Sequence, residues 1–380
     1  MLKLKCDQMD IYLQSEGQEK QTILIGGSSQ MGKTTLASVY GQDLITQGKY
    51  VHLVDLGMKW GMKDKQRLVD AGAEIRLLAQ QKVTLSFSTK EELLGCAKCI
   101  VSCIGFSSRR ATSLLKNILN DLLCKKSQFG LHEIVEKLQN EKAENEWAEE
   151  IYDRLENCTD LPDLWFKVDS TKALLTAGSS IIWDLGGLED FLVQMLIGLI
   201  LYNLYCAQRR RFKQEEDERR VYVIIDEFQS LALNRESIVG TCLTEGQKYR
   251  LFLILITQFL KGRFSDALLG QFKQGGFRFY FRMTEEDAAI VSHQLSADSK
   301  IQKILYHRLI SLPRGHCLML GAHTVGKRKE ISEAMRFVEV IKDSAIIDEK
   351  AGNSKEEQIK KKTISANFSK GSKRVICIFK

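Results

Sequence analysis

The stretch Gly27-Ser-Ser-Gln-Met-Gly32-Lys33-Thr34 fits G-x-x-x-x-G-K-[ST], the spacing of a phosphate-binding loop. It also has the context this chemistry needs. The apolar run "QTILIGG" before it reads as a buried strand, and a helix is expected from about Lys33 to Gln47. Glycines let the backbone bend around phosphates, and successive N–H groups then point inward at them. The cradle is expected over Gly27, Ser28, Ser29, Gln30, Met31, Gly32, Lys33, Thr34 and Thr35. Lys33 would reach the β- and γ-phosphates of ATP, and the Thr34 hydroxyl would ligate Mg²⁺. Gln30 and Met31 are bulky for such a loop, but the backbone makes the cradle.

A phosphate loop of this kind needs a carboxylate at the end of a neighbouring strand. "VYVIIDE" closes a wholly apolar run with Asp226 and Glu227. Asp226 is suited to hold Mg²⁺ through water, and Glu227 to polarise an attacking water as general base. An adjacent base leans toward hydrolysis rather than kinase or switch chemistry. Asp184 in "SIIWDLGG" is a second candidate, but it lacks the adjacent glutamate. The strand "RLFLILITQ" ends in Thr257-Gln258. Parallel strands all end on one edge of their sheet, where ligands bind. If this strand lies beside the Asp-Glu strand, the Gln258 amide can meet the γ-phosphate or the water without changing the charge balance. The competing reading is a polar residue that simply caps a strand.

Phosphoryl transfer is also helped by an arginine that neutralises developing charge. In "GGFRFYFRM", Arg278 and Arg282 fall on one face of a strand, with Phe277, Phe279 and Phe281 on the other. A half-exposed strand shows the same alternation. If one of these arginines acts in trans, the sites lie between subunits of a ring.

The elements that would position these residues are legible in outline. "QTILIGG", the following helix and "KYVHLVDLG" form a βαβ unit, which implies a parallel sheet covered by helices. "KVTLSFS" adds a strand candidate. "SSIIWDLGG", "RVYVIIDE", "RLFLILITQ", "GFRFYFRM" and "GHCLMLGA" are further strands separated by helices. Between them, about four or five amphipathic helices are expected from the spacing in "ATSLLKNILNDLL" and "LHEIVEKLQ". The division expected is a core over residues 1–89 and 176–340, an all-α insertion over 90–175, and a charged linker or tail over 341–380. The fold class is α/β, with a mainly parallel central sheet.

Composition sets limits on partners. A chain of 380 residues can bury a large core, and 44% hydrophobic with 27% charged residues is ordinary for a globular protein. The net charge of +7 permits a polyanionic partner without demanding one. The 10 cysteines show no paired framework, and no signal peptide is read before them; both suit a reducing cytoplasm. Cys96, Cys99 and Cys103 lie in an apolar helical pattern without a second cluster, so buried thiols outweigh a metal site. Phe191–Ala207 is apolar, but it carries Gln194 and Asn203 and is short for a membrane span, so it reads as a buried helix. "MKWGMKDKQR" offers Lys59, Lys63, Lys65 and Arg67 around Trp60, and "LKGRFS" offers Lys261 and Arg263. These are basic loops that could meet a phosphate backbone.

In order and spacing, Gly27–Thr34, "VIIDEFQSL", "TEGQKYRLFLILITQF", "FRFYFRMTEEDAAIVS" and "LPRGHCLM" resemble the HerA/FtsK superfamily of ring-forming, DNA-pumping ATPases. The resemblance is strongest to the HerA-type and conjugative-transfer branches, and it runs from about Thr22 to Val340, with the helical block matched only in position and character. It implies a RecA-like P-loop core, ATP hydrolysis with Mg²⁺, a hexamer, and movement of duplex DNA or a related polymer through a channel. Lys33, Thr34, Asp226, Glu227 and Gln258 carry over in the roles above. Arg282, and after it Arg278, matches the position of the arginine in trans. Gln247 stands where relatives often carry arginine. The amino-terminal stretch is shorter than the small barrel preceding a full HerA core, and coupling-protein membrane segments are not read in the chain. Two expectations follow: a minimal motor, or a motor module docking on a separate partner such as a nuclease, a relaxase complex, or a channel at the inner face of the membrane.

Overall fold

The computed structural model describes residues 3–6, 9–13, 22–56, 60–102, 108–157, 161–169, 178–214, 219–231, 237–260, 276–325, 331–332 and 335–340. The first three strands are β1 (Lys3–Cys6), β2 (Met9–Leu13) and β3 (Ile23–Gly26). Helix α1 (Lys33–Thr46) then leads to β4 (Tyr50–Asp55), helix α2 (Met62–Asp70) and β5 (Glu74–Leu77). An inserted block follows, with β6 (Val83–Phe87), α3 (Lys90–Leu94), α4 (Cys96–Ser102), α5 (Arg109–Lys125), β7 (Gln128–Gly130), α6 (Leu131–Glu141), α7 (Glu146–Glu156) and β8 (Leu164–Val168). The main sheet resumes with β9 (Ile181–Asp184), α8 (Asp190–Gln214), β10 (Val221–Ile225), α9 (Ile238–Glu245) and β11 (Leu251–Thr257). The last elements are β12 (Phe277–Phe281), α10 (Glu285–Leu295), α11 (Ser299–Ser311), β13 (His316–Leu320), β14 (His323–Val325) and β15 (Arg336–Val340).

One 12-stranded sheet carries the site, in the order β5-β9-β4-β10-β11-β3-β12-β13-β15-β1-β2-β14. From β5 to β12 every neighbouring pair is parallel; from β12 onward every pair is antiparallel. The parallel half is the mainly parallel core expected from the βαβ pattern. Its central strands β10 and β11 are apolar and buried on both sides because both faces are covered there. On β10, Val221, Val223 and Ile225 pack toward α8, while Tyr222 and Ile224 pack toward α1 and its side of the sheet. All residues of β11 are buried. The amino-terminal strands join the antiparallel edge, where β1 pairs with β15 from the other end of the described chain.

Helix α8 is long and apolar enough to cross a membrane, yet 72% of its apolar window is buried inside the protein. Its polar residues have internal uses. Asn203 Nδ2 donates to the Ser86 carbonyl at 2.6 Å, which fastens the helix to β6.

Two expectations are corrected. The inserted block is not all helical, because β6, β7 and β8 form their own sheet in the order β6-β8-β7. Residues Val83–Phe87 belong to that sheet and not to the main one, although Val83, Leu85 and Phe87 share a hydrophobic cluster with it. The cause is the run "LWFKV", which pairs in parallel with β6 across a long insertion and cannot be recognised from local pattern. Secondly, the stretch around Met62–Asp70 is a helix rather than a basic loop. Leu68 is buried on it, against the face of the sheet that α1 covers. Trp60 is buried too, and Lys65 forms ion pairs with Asp55 (2.6 Å) and Asp184 (2.7 Å). Lys65 is thereby taken out of reach of a phosphate backbone. Lys63 is exposed, and Arg67 lies 3.6 Å from Asp64. Lys59, Lys261, Arg263, Cys103 and the 341–380 tail lie outside the described residues.

Candidate active site

The site is assembled by strand order. β3, which feeds the glycine-rich loop, lies between β11 and β12, and β10 lies on the far side of β11. Thr257 is in register with Gly26, and Ile225 with Leu255. The ends of β3, β11 and β10 therefore bring the loop, Gln258 and the Asp226-Glu227 pair to one edge of the sheet.

The loop is pinned by its neighbours on three sides. The Gly27 N–H donates to the Thr257 carbonyl at 3.2 Å and the Ser28 N–H to the Arg282 carbonyl at 2.7 Å, while the Met31 carbonyl accepts from Gly315 N–H at 2.9 Å. Gly27 has φ +140°, and a Cβ there would lie 2.8 Å from Phe281 Cβ and 2.9 Å from the Arg282 carbonyl oxygen. Only glycine fits so close a passage. Gly32 also has positive φ, and Gln30 adopts φ 60° at the exposed crest of the loop beside Ser29. Helix α1 opens at Lys33, with Thr34 and Thr35 in its first turn, so its amino end faces the loop.

Lys33 is buried, and its Nζ donates to the Ser28 carbonyl at 2.8 Å. Burial lowers its proton affinity, while Asp226 and Glu227 oppose that effect. Thr34 Oγ1 donates to Asp226 Oδ2 at 3.2 Å, and Asp226 Oδ1 accepts the Glu227 N–H at 2.8 Å. Asp226 is pushed up to about 6, first by burial and then by Glu227; the Glu227 N–H, Lys33 and Thr34 act the other way. Among the described residues, Lys33 is the cation that acts on these two neighbouring buried carboxylates, and burial outweighs it at Asp226, so the centre is short of positive charge. Oxygen donors from Thr34 and Asp226 are suited to a hard divalent cation such as Mg²⁺, and Lys33 with the loop N–H groups is suited to phosphates.

Glu227 itself has φ 51° and ψ 35°, left-handed values that are unusual for a residue with a side chain. Such strain costs on the order of 1–3 kcal/mol and concentrates where a side chain must be aimed. Here it turns the Glu227 carboxylate toward β11, where Gln258 Nε2 donates to its Oε1. A second amide, Gln229 Nε2, donates to Oε2. Gln229 was not singled out in the sequence; it sits in the 3₁₀ turn Phe228–Ser230 and returns to Glu227 only because of that left-handed residue. Asp287 is another unforeseen participant. Buried in the first turn of α10, it accepts the Leu260 N–H with both oxygens at 3.2 Å and so holds the chain just after Gln258.

The arginines separate. Arg282 is exposed at the end of β12, and its own carbonyl touches the loop. Arg278 is half-buried on β12, in register with Leu24 and hydrogen-bonded to Tyr280, so it lies back from the edge that holds the carboxylates. Asp184 is engaged by Lys65 and does not join the loop.

No family model matches the sequence, and no curated protein matches it. The fold is similar to that of VirB4 of Thermoanaerobacter pseudethanolicus, with TM-score 0.56 at 13% identity over 86% of this chain and 91% of that one. It is also similar to plasmid coupling protein TrwB in complex with ADP and Mg²⁺, with TM-score 0.58 at 12% identity over 90% of this chain and 96% of that one. The bacterial conjugative coupling protein TrwBdeltaN70, in its unbound monoclinic form, gives TM-score 0.56 at 12% identity, covering 87% and 90%. At such identity the likeness is one of fold. The architecture is a RecA-like P-loop core with helices on both faces of a large, mainly parallel sheet.

Proposed function

We propose that this chain is an ATP-hydrolysing motor that works as a ring and translocates duplex DNA without reading its sequence. The observation that carries the proposal is the meeting of Lys33, Thr34, Asp226, Glu227 and Gln258 at one sheet edge, with the Glu227 carboxylate bonded to the Gln258 amide. Lys33 binds the β- and γ-phosphates. Thr34 and Asp226 hold Mg²⁺, which supplies charge neutralisation at the phosphates. Glu227 takes a proton from the water as its oxygen bonds to the γ-phosphorus; the bond to the bridging oxygen breaks, and ADP and phosphate leave. Gln258, bonded to the base, is placed to report whether the γ-phosphate is present. Arg282, exposed beside the loop, is the choice for an arginine supplied to a neighbouring subunit.

Duplex DNA as cargo is supported by the likeness to a conjugative coupling protein, and the net positive charge permits it without arguing for it. A cytoplasmic module docked at the membrane through a partner protein fits the same reading. The likeness to VirB4 favours a second reading, a secretion motor acting on protein. The test is ATP hydrolysis with and without double-stranded DNA, on a preparation of measured oligomeric state and over a series of salt concentrations. DNA stimulation that falls steeply with salt supports the DNA motor. Hydrolysis indifferent to DNA favours protein cargo. Tight ATP binding with no turnover, unchanged in Glu227→Gln, would leave a nucleotide-dependent scaffold.

A further inference from the structure

We infer that Gln229 is a positioning residue for hydrolysis, holding the Glu227 carboxylate from the side opposite Gln258. The inference rests on the reading of Glu227 as general base.

An ionised carboxylate can only accept hydrogen bonds, so an amide facing it must present nitrogen. Gln258 and Gln229 each do so, and they take different oxygens. A carboxylate bonded on both oxygens is fixed in its plane, and its remaining lone pairs point in set directions. That is what a base needs if the water it activates is to be aligned with the phosphorus.

The two amides differ in where they are mounted. Gln258 follows β11, a separate strand, and its amide is the one assigned to sense the γ-phosphate. Gln229 lies on the same turn as Glu227, and Phe228 between them is fully buried. That anchor ties Gln229 to Glu227 whatever β11 does. Gln229 can therefore keep the carboxylate oriented while Gln258 exchanges partners. Its own carbonyl oxygen, Oε1, is buried without a hydrogen-bond partner among the described residues. A side chain kept only to satisfy the turn would not leave that acceptor unpaired while spending its donor on Glu227. The amide also departs from the surrounding ionic pattern. Lys33 on α1 and Asp226 just after β10 both act electrostatically at this centre, and a neutral amide steadies Glu227 without adding a charge of its own.

Gln229→Met keeps length and volume but has no N–H. Steady-state ATP hydrolysis is expected to show kcat reduced about tenfold, as for loss of a hydrogen bond to a charged group. KM and the Kd for a non-hydrolysable ATP analogue should stay within about twofold, because the amide does not touch nucleotide. Gln229→Leu should repeat the pattern. Wild-type turnover in both variants would overturn the inference. So would a loss shared equally by KM and analogue binding, or unfolding of both variants, since each makes Gln229 a structural residue. Lys33→Ala in the same assay separates the two levels. If it is inactive while Gln229→Met is normal, only the Gln229 assignment fails. If Lys33→Ala also turns over normally, the hydrolysis reading itself fails.

Discussion

Replacing Asp226 by asparagine should make the protein more stable and inactive at once. Asp226 is only 4% exposed, and its carboxyl is pushed from 3.8 up to about 6, chiefly by burial and next by Glu227. That gap corresponds to about 3 kcal/mol, at about 1.4 kcal/mol for each tenfold change in proton affinity. Below pH 3.8 the group is protonated whether the chain is folded or not, and it costs nothing. Between 3.8 and about 6 the folded chain keeps a proton that the unfolded chain has lost, so stability falls as pH rises through this window. Above about 6 the whole cost is present. Asparagine does not titrate, and its amide can still accept from the Glu227 N–H and pair with the Thr34 hydroxyl. Melting with metal chelated should show Asp226→Asn more stable by about 3 kcal/mol near pH 8 and by about half of that near pH 5. For a chain of this size the shift at the higher pH is about 4 °C. Adding ATP analogue with Mg²⁺ should raise the wild-type melting temperature more than the variant's, because an amide is a poorer ligand for the cation. A variant less stable than wild type near pH 8, or a difference that does not shrink toward acid, would refute the account of this site as a centre short of positive charge.

Gly27→Ala is expected to cost about 1–3 kcal/mol of stability and to weaken nucleotide binding at least tenfold, roughly, because its Cβ meets Phe281 and the Arg282 carbonyl at a positive φ; unchanged analogue affinity by titration would contradict that. Lys65→Met leaves the buried Asp55 carboxylate beside Asp184 without their shared cation and should destabilise by about 3–5 kcal/mol. Burial raises the Asp55 proton affinity and Asp184 adds to it, with Lys65 opposing, so Asp55→Asn in the Lys65→Met background should recover part of the loss in denaturant melts. Arg282→Ala should spare ATP binding and lower turnover by up to about 10³. Mixing it with Glu227→Gln subunits should restore some turnover; no rescue in stable mixed rings would count against an arginine acting in trans.

Residues that lie at the ends of apolar runs were the most legible in the sequence. Gly27–Thr34, Asp226-Glu227 and Gln258 each follow such a run, and a parallel sheet brings such ends to one edge. What stayed hidden depends on contacts between distant segments. The pairing of β1 with β15 and of β6 with β8 crosses long stretches of chain, so local periodicity carries no trace of either. Lys65 looked like part of an exposed basic loop because its partners, Asp55 and Asp184, come from two separate strands. Gln229 stood in plain view within "DEFQ", but its approach to Glu227 depends on a left-handed backbone at a glutamate, which residue preferences argue against. Gly315 and Asp287 were equally invisible; each acts on a neighbour through the backbone of another loop.

The central claim is that this sheet edge hydrolyses ATP, and phosphate release from ATP with Mg²⁺ by wild-type, Lys33→Ala and Glu227→Gln protein tests it most directly. The account predicts turnover by wild type, loss of both turnover and ATP binding in Lys33→Ala, and retained binding with turnover reduced by about 10²–10⁴ in Glu227→Gln. Turnover near the wild-type rate in Lys33→Ala would contradict it.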